Sequence, residues 1–261
     1  MKNIIKAQLY QLKSQRFLYI AFFGVLALSL VMTYMIGVGS VPPEIEPTAS
    51  FMASSAISMI WLLVSFFTAI FTGYVCASDF GDKTMNYETM SGTLRKQSFF
   101  ARVIITIPFS VLFSIALIAA DVLIITALYG WGGYIPAKVF VFRLFIAAFP
   151  IMRMSCFLVL VSYIFKNAAA PLIVQYLVYI LISLISAFSA GGSPFLLAIT
   201  NISYIGNFEL WATFGLETSS NYIFETYISS GDVIKTIAVS LIVSAAYIIV
   251  GYSFYHRDDL S

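Results

Sequence analysis

Charge is scarce in this chain. Lys, Arg, Asp and Glu make up 10% of its 261 residues, against ~25% in an average soluble domain. That scarcity excludes a water-soluble enzyme, a disordered chain and a nucleic-acid binder resting on a basic face. Only two cysteines and one histidine are present. Cys76, Cys156 and His256 cannot supply a disulfide framework, a zinc site or a histidine-based triad. A phosphate loop is missing too. Gly81-Asp82-Lys83-Thr84 looks like the end of one, but Asp82 interrupts it and the upstream glycine is absent. No catalytic residue and no metal site is expected on this chain.

What fills the space is apolar. Hydrophobic residues reach 61% and aromatics 16%, with a mean hydropathy of +0.95. A helix of ~20 apolar residues crosses the ~30 Å hydrocarbon core. Six runs meet that length, at about 17–38, 57–77, 103–129, 139–165, 168–189 and 233–255. They are continuous rather than alternating with period two, so helices are expected and not a barrel. The fold class is therefore all-α: one polytopic membrane domain over 1–261 with six transmembrane helices. The first run is too long for a signal-peptide core and is read as retained.

Orientation follows from the placement of Lys and Arg. Lys2, Lys6, Lys13, Arg16, Lys83, Arg95, Lys96, Arg102, Lys166 and Arg257 fall on one side if the spans alternate. The other side has Lys138 and Lys235, with Arg143 near the start of span 4, and carries Glu44, Glu46, Glu209, Glu217, Glu225 and Asp232. Both termini are thus expected in the cytoplasm. Tyr129, Trp131 and Tyr134 around the Gly130, Gly132 and Gly133 turn suggest an aromatic belt. Pro42, Pro43 and Pro47 mark a stiff outer loop.

Three pieces lie outside the spans. Residues 2–16 place Ile5, Leu9 and Leu12 on one helical face beside Lys2, Lys6 and Lys13. This predicts a basic amphipathic interfacial helix, either a plain anchor or a protein contact. The external segment 190–232 has a semi-apolar stretch from Pro194 to Thr200, too short to span, and is expected to be partly helical and re-entrant. The cytoplasmic loop 78–102 is the most polar part of the chain. Asp82 or Thr84 can cap a short helix that Gly92 ends in a left-handed conformation. Tyr87 and Met90 share its face, Glu88 lies near its positive end, and Arg95 and Lys96 lie near its negative end. A plain connector needs only ~2–8 residues, so this loop reads as a docking element.

Three ionisable residues sit within the spans: Asp121 in span 3, and Arg143 and Arg153 in span 4. At ~1.5 Å per residue they lie ~12, ~6 and ~21 Å below the outer ends of their spans. Asp121 falls between the arginines in depth. The expectation is an ion pair with one of them, joining spans 3 and 4; the alternative is a polar lining or an ion-coupling site. Pro171 fits the first turn of span 5, whereas Pro108 and Pro150 lie inside spans and can kink them.

Loop 78–102 also carries a likeness. Ser78-Asp79-Phe80-Gly81-Asp82-Lys83-Thr84-Met85-Asn86-Tyr87-Glu88, then Ser91-Gly92-Thr93-Leu94-Arg95-Lys96, then Arg102, resembles the cytoplasmic loop of ABC-2 type transporter permeases. The nearest group is the small bacitracin and lantibiotic transport and immunity permeases of Gram-positive bacteria. The opening Met1 to Lys13, the ending Tyr255 to Leu260, and the six-span layout are similar as well. The resemblance implies a permease subunit of an ATP-driven exporter in the bacterial plasma membrane, with an amphipathic peptide, antibiotic or lipid-like cargo. It implies a second permease chain, identical or homologous, and two copies of an ATP-binding subunit that hold ATP and Mg, with no cofactor on this chain. Asp79, Phe80, Gly81, Lys83, Thr84, Tyr87, Glu88, Gly92, Arg95 and Lys96 would then dock on the ATPase as a coupling helix. Two other classes compete with this: a non-transporting sensor or immunity scaffold, and an ion-coupled secondary transporter using Asp121 with Arg143 or Arg153.

Overall fold

The computed structural model describes residues 2–40, 48–81, 92, 94–132, 136–189, 194–203, 215–218, 221–224 and 230–257. The elements run α1 (Lys2–Ser14), α2 (Arg16–Ser40), α3 (Ala49–Gly81), α4 (Arg95–Tyr129), α5 (Ala137–Phe165), α6 (Ala170–Ser189), α7 (Pro194–Ile202), β1 (Gly215–Thr218), β2 (Asn221–Phe224) and α8 (Ser230–Arg257). Six of the helices, α2 to α6 and α8, are long and apolar enough to cross a membrane. They coincide with the six runs read from hydropathy.

The helix ends differ from that reading. α3 has 33 residues and α4 has 35, so each is about 50 Å long, well beyond the ~30 Å of hydrocarbon. Hydropathy marks where a helix lies in lipid, not where its hydrogen bonding stops. Thus α3 continues to Gly81 and α4 starts at Arg95, and both ends of the 78–102 loop are helical. The N-terminal helix is present as α1, broken from α2 at Gln15. Pro194 to Thr200 lies in α7. The departure from an all-helical chain is an antiparallel ribbon of β1 and β2, with Gly215 opposite Phe224 and Thr218 opposite Asn221. Its second strand, Asn-Tyr-Ile-Phe, has the β-branched and aromatic residues that suit a strand.

Helices α3 and α5 form the centre. α3 packs on α2, α4, α5 and α6, and α5 packs on α3, α4, α6 and α8. Their shared core includes Trp61 and Val64 of α3, Leu117 and Val122 of α4, and Ile151 and Leu158 of α5, all buried. Lipid supplies no hydrophobic drive between helices, so close packing and interhelical hydrogen bonds must hold them together. Both are visible. Thr68 meets Ser114 at 3.1 Å between α3 and α4, and Ser110 donates to Ser155 at 2.7 Å between α4 and α5. α8 buries Thr236, Ser240, Ser244 and Gly251, a mostly small-residue stripe. Leu160 of α5 approaches its Gly251. Large apolar side chains face outward on the rest of the bundle, among them Ile20, Phe23, Leu177, Phe188, Ile242 and Ile249. Such faces fit hydrocarbon and not water.

Two close joints depend on glycine. The first-turn amides of α3 have no partner in their own helix. Ala49 donates instead to the Gly130 carbonyl and Ser50 to the Trp131 carbonyl, both at 3.0 Å. Gly130 and Gly132 adopt φ 74° and 80° to turn those carbonyls, a region glycine enters without a Cβ clash. Trp131 thereby packs on Phe140, with ring centroids 5.5 Å apart, and remains partly exposed. Tyr134 and Gly133 lie outside the described residues. The second joint is Gly73 of α3, where a Cβ would lie 2.2 Å from the Ala168 carbonyl oxygen in the turn before α6. Pro108 and Pro150 lie inside α4 and α5, and Pro171 falls in the first turn of α6.

Candidate functional site

The loop expected to dock on a partner emerges between α3 and α4. Lys83, Thr84, Tyr87 and Glu88, with the short helix read there, lie outside the described residues. Asp79 and Gly81 belong to the last turn of α3. Gly92 has φ 86° with open space around its Cα, the left-handed conformation anticipated for it. Lys96 is exposed in the first turn of α4. Arg95 reaches the other terminus of the bundle: its guanidinium donates to the His256 carbonyl at 3.4 Å. His256 lies at the C-terminal end of α8, where unpaired carbonyls favour a cation.

Phe80 is the loop residue the structure moves furthest. It is partly buried, a wedge at the base of the loop. Its ring meets Tyr163 of α5 edge-on at 5.9 Å and Tyr255 of α8 at 6.4 Å. Phe99 of α4 packs on Tyr163 at 4.8 Å, on Tyr252 at 5.5 Å and on Tyr255 at 5.8 Å. Each tilted or edge-to-face pair contributes ~0.5–1.5 kcal/mol beyond its buried area. One aromatic cluster therefore ties the ends of α3, α4, α5 and α8 together under the loop. Beside it Arg102 is fully buried and donates to Ser98 one turn earlier. The sequence reading placed Phe80 and Arg102 in the loop. The available signal was the concentration of Phe99, Phe100, Tyr163, Tyr252 and Tyr255 at the same ends of their spans.

The intramembrane charges do not meet as expected. Asp121 is fully buried on α4, and its partners are hydroxyls of α2. Ser29 Oγ donates to Oδ1 and Thr33 Oγ1 to Oδ2, each at 2.9 Å. The expected Asp121–arginine ion pair between spans 3 and 4 is thus replaced by a joint between the first and third spans. Depth counting orders residues along the membrane normal but not around the bundle, and α2 occupies the side of α4 that Asp121 faces. Arg153 of α5 donates instead to the Ile202 carbonyl at 2.7 Å, at the C-terminal end of α7. Arg143, also buried, lies one helical stretch away on α5. Ser29 and Thr33 were overlooked, although hydroxyls four residues apart in an otherwise apolar span lie on one helical face.

Cys76 and Cys156 are buried thiols, with Cys76 Sγ 3.4 Å from Thr106 Oγ1. Among the described residues, no three His, Cys, Asp or Glu side chains come together. No family matches the chain by profile, and no curated protein matches its sequence.

Proposed function

We propose that this chain is the membrane-spanning permease subunit of an ATP-driven ABC exporter. Its cargo is an amphipathic peptide, antibiotic or lipid-like molecule, moved out of the cell or membrane. ATP and Mg are bound and hydrolysed on a separate ATP-binding subunit, present in two copies, and a second permease chain completes the path. In this reading both termini are cytoplasmic, the membrane is the bacterial plasma membrane, and loop 78–102 docks on the ATPase. One observation carries it: the two helices that form the loop's ends are fastened by Phe80 and Phe99 to α5 and α8. Movement imposed on the loop would be delivered to four helices at once, as coupling demands. The loop's own residues supply the likeness to the ABC-2 permeases and the polar docking surface.

The external segment fits the same reading. Arg153 stands sixteen residues from the start of α5, about 24 Å along the helix. A carbonyl of α7 held by that side chain supports a re-entrant segment, and irregular backbone at depth is tolerated where protein surrounds it. The ion-coupled alternative draws on Asp121, whose carboxylate accepts from Ser29 and Thr33 of α2, whereas Arg153 donates to the Ile202 carbonyl of α7.

The test is a mild-detergent pull-down of the tagged chain from its native host, with ATPase activity assayed on the eluate. Recovery of an ATP-binding subunit is expected, with Glu88→Ala and Gly92→Leu keeping the membrane fold but uncoupling hydrolysis from export. Recovery of the chain alone in several detergents, or normal export by both variants, would overturn the proposal.

A further inference from the structure

The elbow between α1 and α2 encloses a cavity of about 570 Å³, within the ~300–1,000 Å³ of ligand pockets. Leu12 and Leu18 line it on one side and Phe67, Phe71, Phe109 and Phe113 on the other, with Lys13 the one charged side chain at its wall among the described residues. Leu9, Tyr19 and Phe23 form an exposed rim, so the cavity is open to the surroundings of the bundle. The stack behind it is continuous: Phe113 lies 6.0 Å from Phe67, 5.8 Å from Phe71 and 6.1 Å from Phe109. Apolar walls without a polar partner do not hold water, and a void against lipid forfeits contacts that a hydrocarbon chain restores. Charge is equally one-sided. Lys2, Lys6, Lys13 and Arg16 are the charged residues of the first 43, and no acidic residue precedes Glu44.

From these features we infer that the elbow cavity binds one acyl chain of an anionic phospholipid from the leaflet on which α1 lies, its head group held by Lys13. The chain fills the space between α1, α2 and the phenylalanine wall of α3 and α4. The head group supplies the negative charge that this end of the chain lacks. Such a lipid acts as a wedge that fixes α1 against α4, the contact α1 makes in the bundle. This site is separate from the loop and does not depend on the function proposed above.

The experiment is native mass spectrometry of the intact, delipidated chain incubated with palmitoyl-oleoyl phosphatidylglycerol or the matching phosphatidylcholine. The expected result is one phosphatidylglycerol retained per chain, at least tenfold over phosphatidylcholine. Lys13→Glu should abolish that preference and Lys13→Arg preserve it. Leu9→Trp, at the exposed rim, should block retention by closing the mouth; Phe23→Trp replaces it if the first variant is not monodisperse. Equal retention of the two lipids overturns the inference, as does full retention in Lys13→Glu. Retention that survives the rim tryptophan places the lipid outside the cavity and overturns it as well.

Discussion

Removing the two hydroxyls that face Asp121 should do more harm than removing Asp121 itself. In the Ser29→Ala, Thr33→Val double variant the fully buried carboxyl group loses both of its partners. Stranding a buried polar or charged group costs about 3 kcal/mol. Asp121→Leu leaves two hydroxyls behind, and these have a local outlet. Ser29 Oγ already lies 2.9 Å from the Leu26 carbonyl oxygen of its own helix. That variant should therefore cost only about 1 kcal/mol, near the value of a single interhelical hydrogen bond in membrane bundles. Adding Asp121→Leu to the double variant should restore stability, a change of sign that simple loss of packing cannot give. The readout is thermal unfolding followed with a thiol-reactive dye, because Cys76 and Cys156 are buried thiols and react only when the bundle opens. At about 2–4 °C per kcal/mol for a chain of this size, the double variant should melt about 6–12 °C below wild type. A double variant within 2 °C of wild type, or a triple variant less stable than the double, would refute the hydroxyl joint. An ion pair would show up differently, as coupling above about 0.5 kcal/mol between Asp121→Asn and Arg143→Met or Arg153→Met.

Three other expectations follow from close contacts. Gly73→Ala should destabilise by about 1–3 kcal/mol, since its Cβ would strike the Ala168 backbone; Gly24→Ala, with nothing within 4 Å, should be neutral or raise the melting temperature, and equal effects would contradict the packing. Gly132→Ala should lower it, because φ is 80° and the new methyl would lie 2.5 Å from Thr48 Cβ; a wild-type melt would mean the outer turn is not built this way. Arg153→Met should release the end of α7, seen as at least about tenfold faster amide exchange over 194–203; unchanged exchange would show that Arg153 does not hold Ile202.

The number of spans and their type were legible because the apolar runs are long and the ionisable residues sparse, conditions that leave backbone in lipid little choice but helix. The particulars of the bundle were not. Asp121 stood out as a charge and was matched by depth to one of the two arginines of the next span, but a buried carboxyl needs donors, and uncharged hydroxyls supply them. Nothing along a single chain says which side of α4 faces α2. Phe80 was read with the polar residues around it, since hydropathy averages over a window and a lone aromatic there carries little weight. Its packing on Tyr163 and Tyr255 joins positions more than eighty residues apart. The positive φ of Gly92, by contrast, is a local property that sequence encodes directly, because glycine enters that region without a Cβ clash.

The distribution of these joints bears on what can move. At the loop end, α3, α4, α5 and α8 share the aromatic cluster. At the opposite end α3 and α4 are tied by the amides of Ala49 and Ser50. In between, α3, α4 and α5 are pinned by Thr68 with Ser114 and by Ser110 with Ser155. Because a densely packed core transmits strain and does not absorb it, a displacement at Phe80 would carry this block as a unit. The outlying parts add polar joints to their packing: α2, whose Phe22 packs on Phe67 and Phe113, bonds through Ser29 and Thr33 to Asp121, and the end of α7 bonds through the Ile202 carbonyl to Arg153. Polar contacts of that kind can exchange partners with small shifts, whereas interlocked rings must separate before they slip. On the proposed function, a pull on the loop would then move the ends of α3, α4, α5 and α8 together. The hydroxyls of Ser29 and Thr33 and the guanidinium of Arg153 mark where that motion would be felt first.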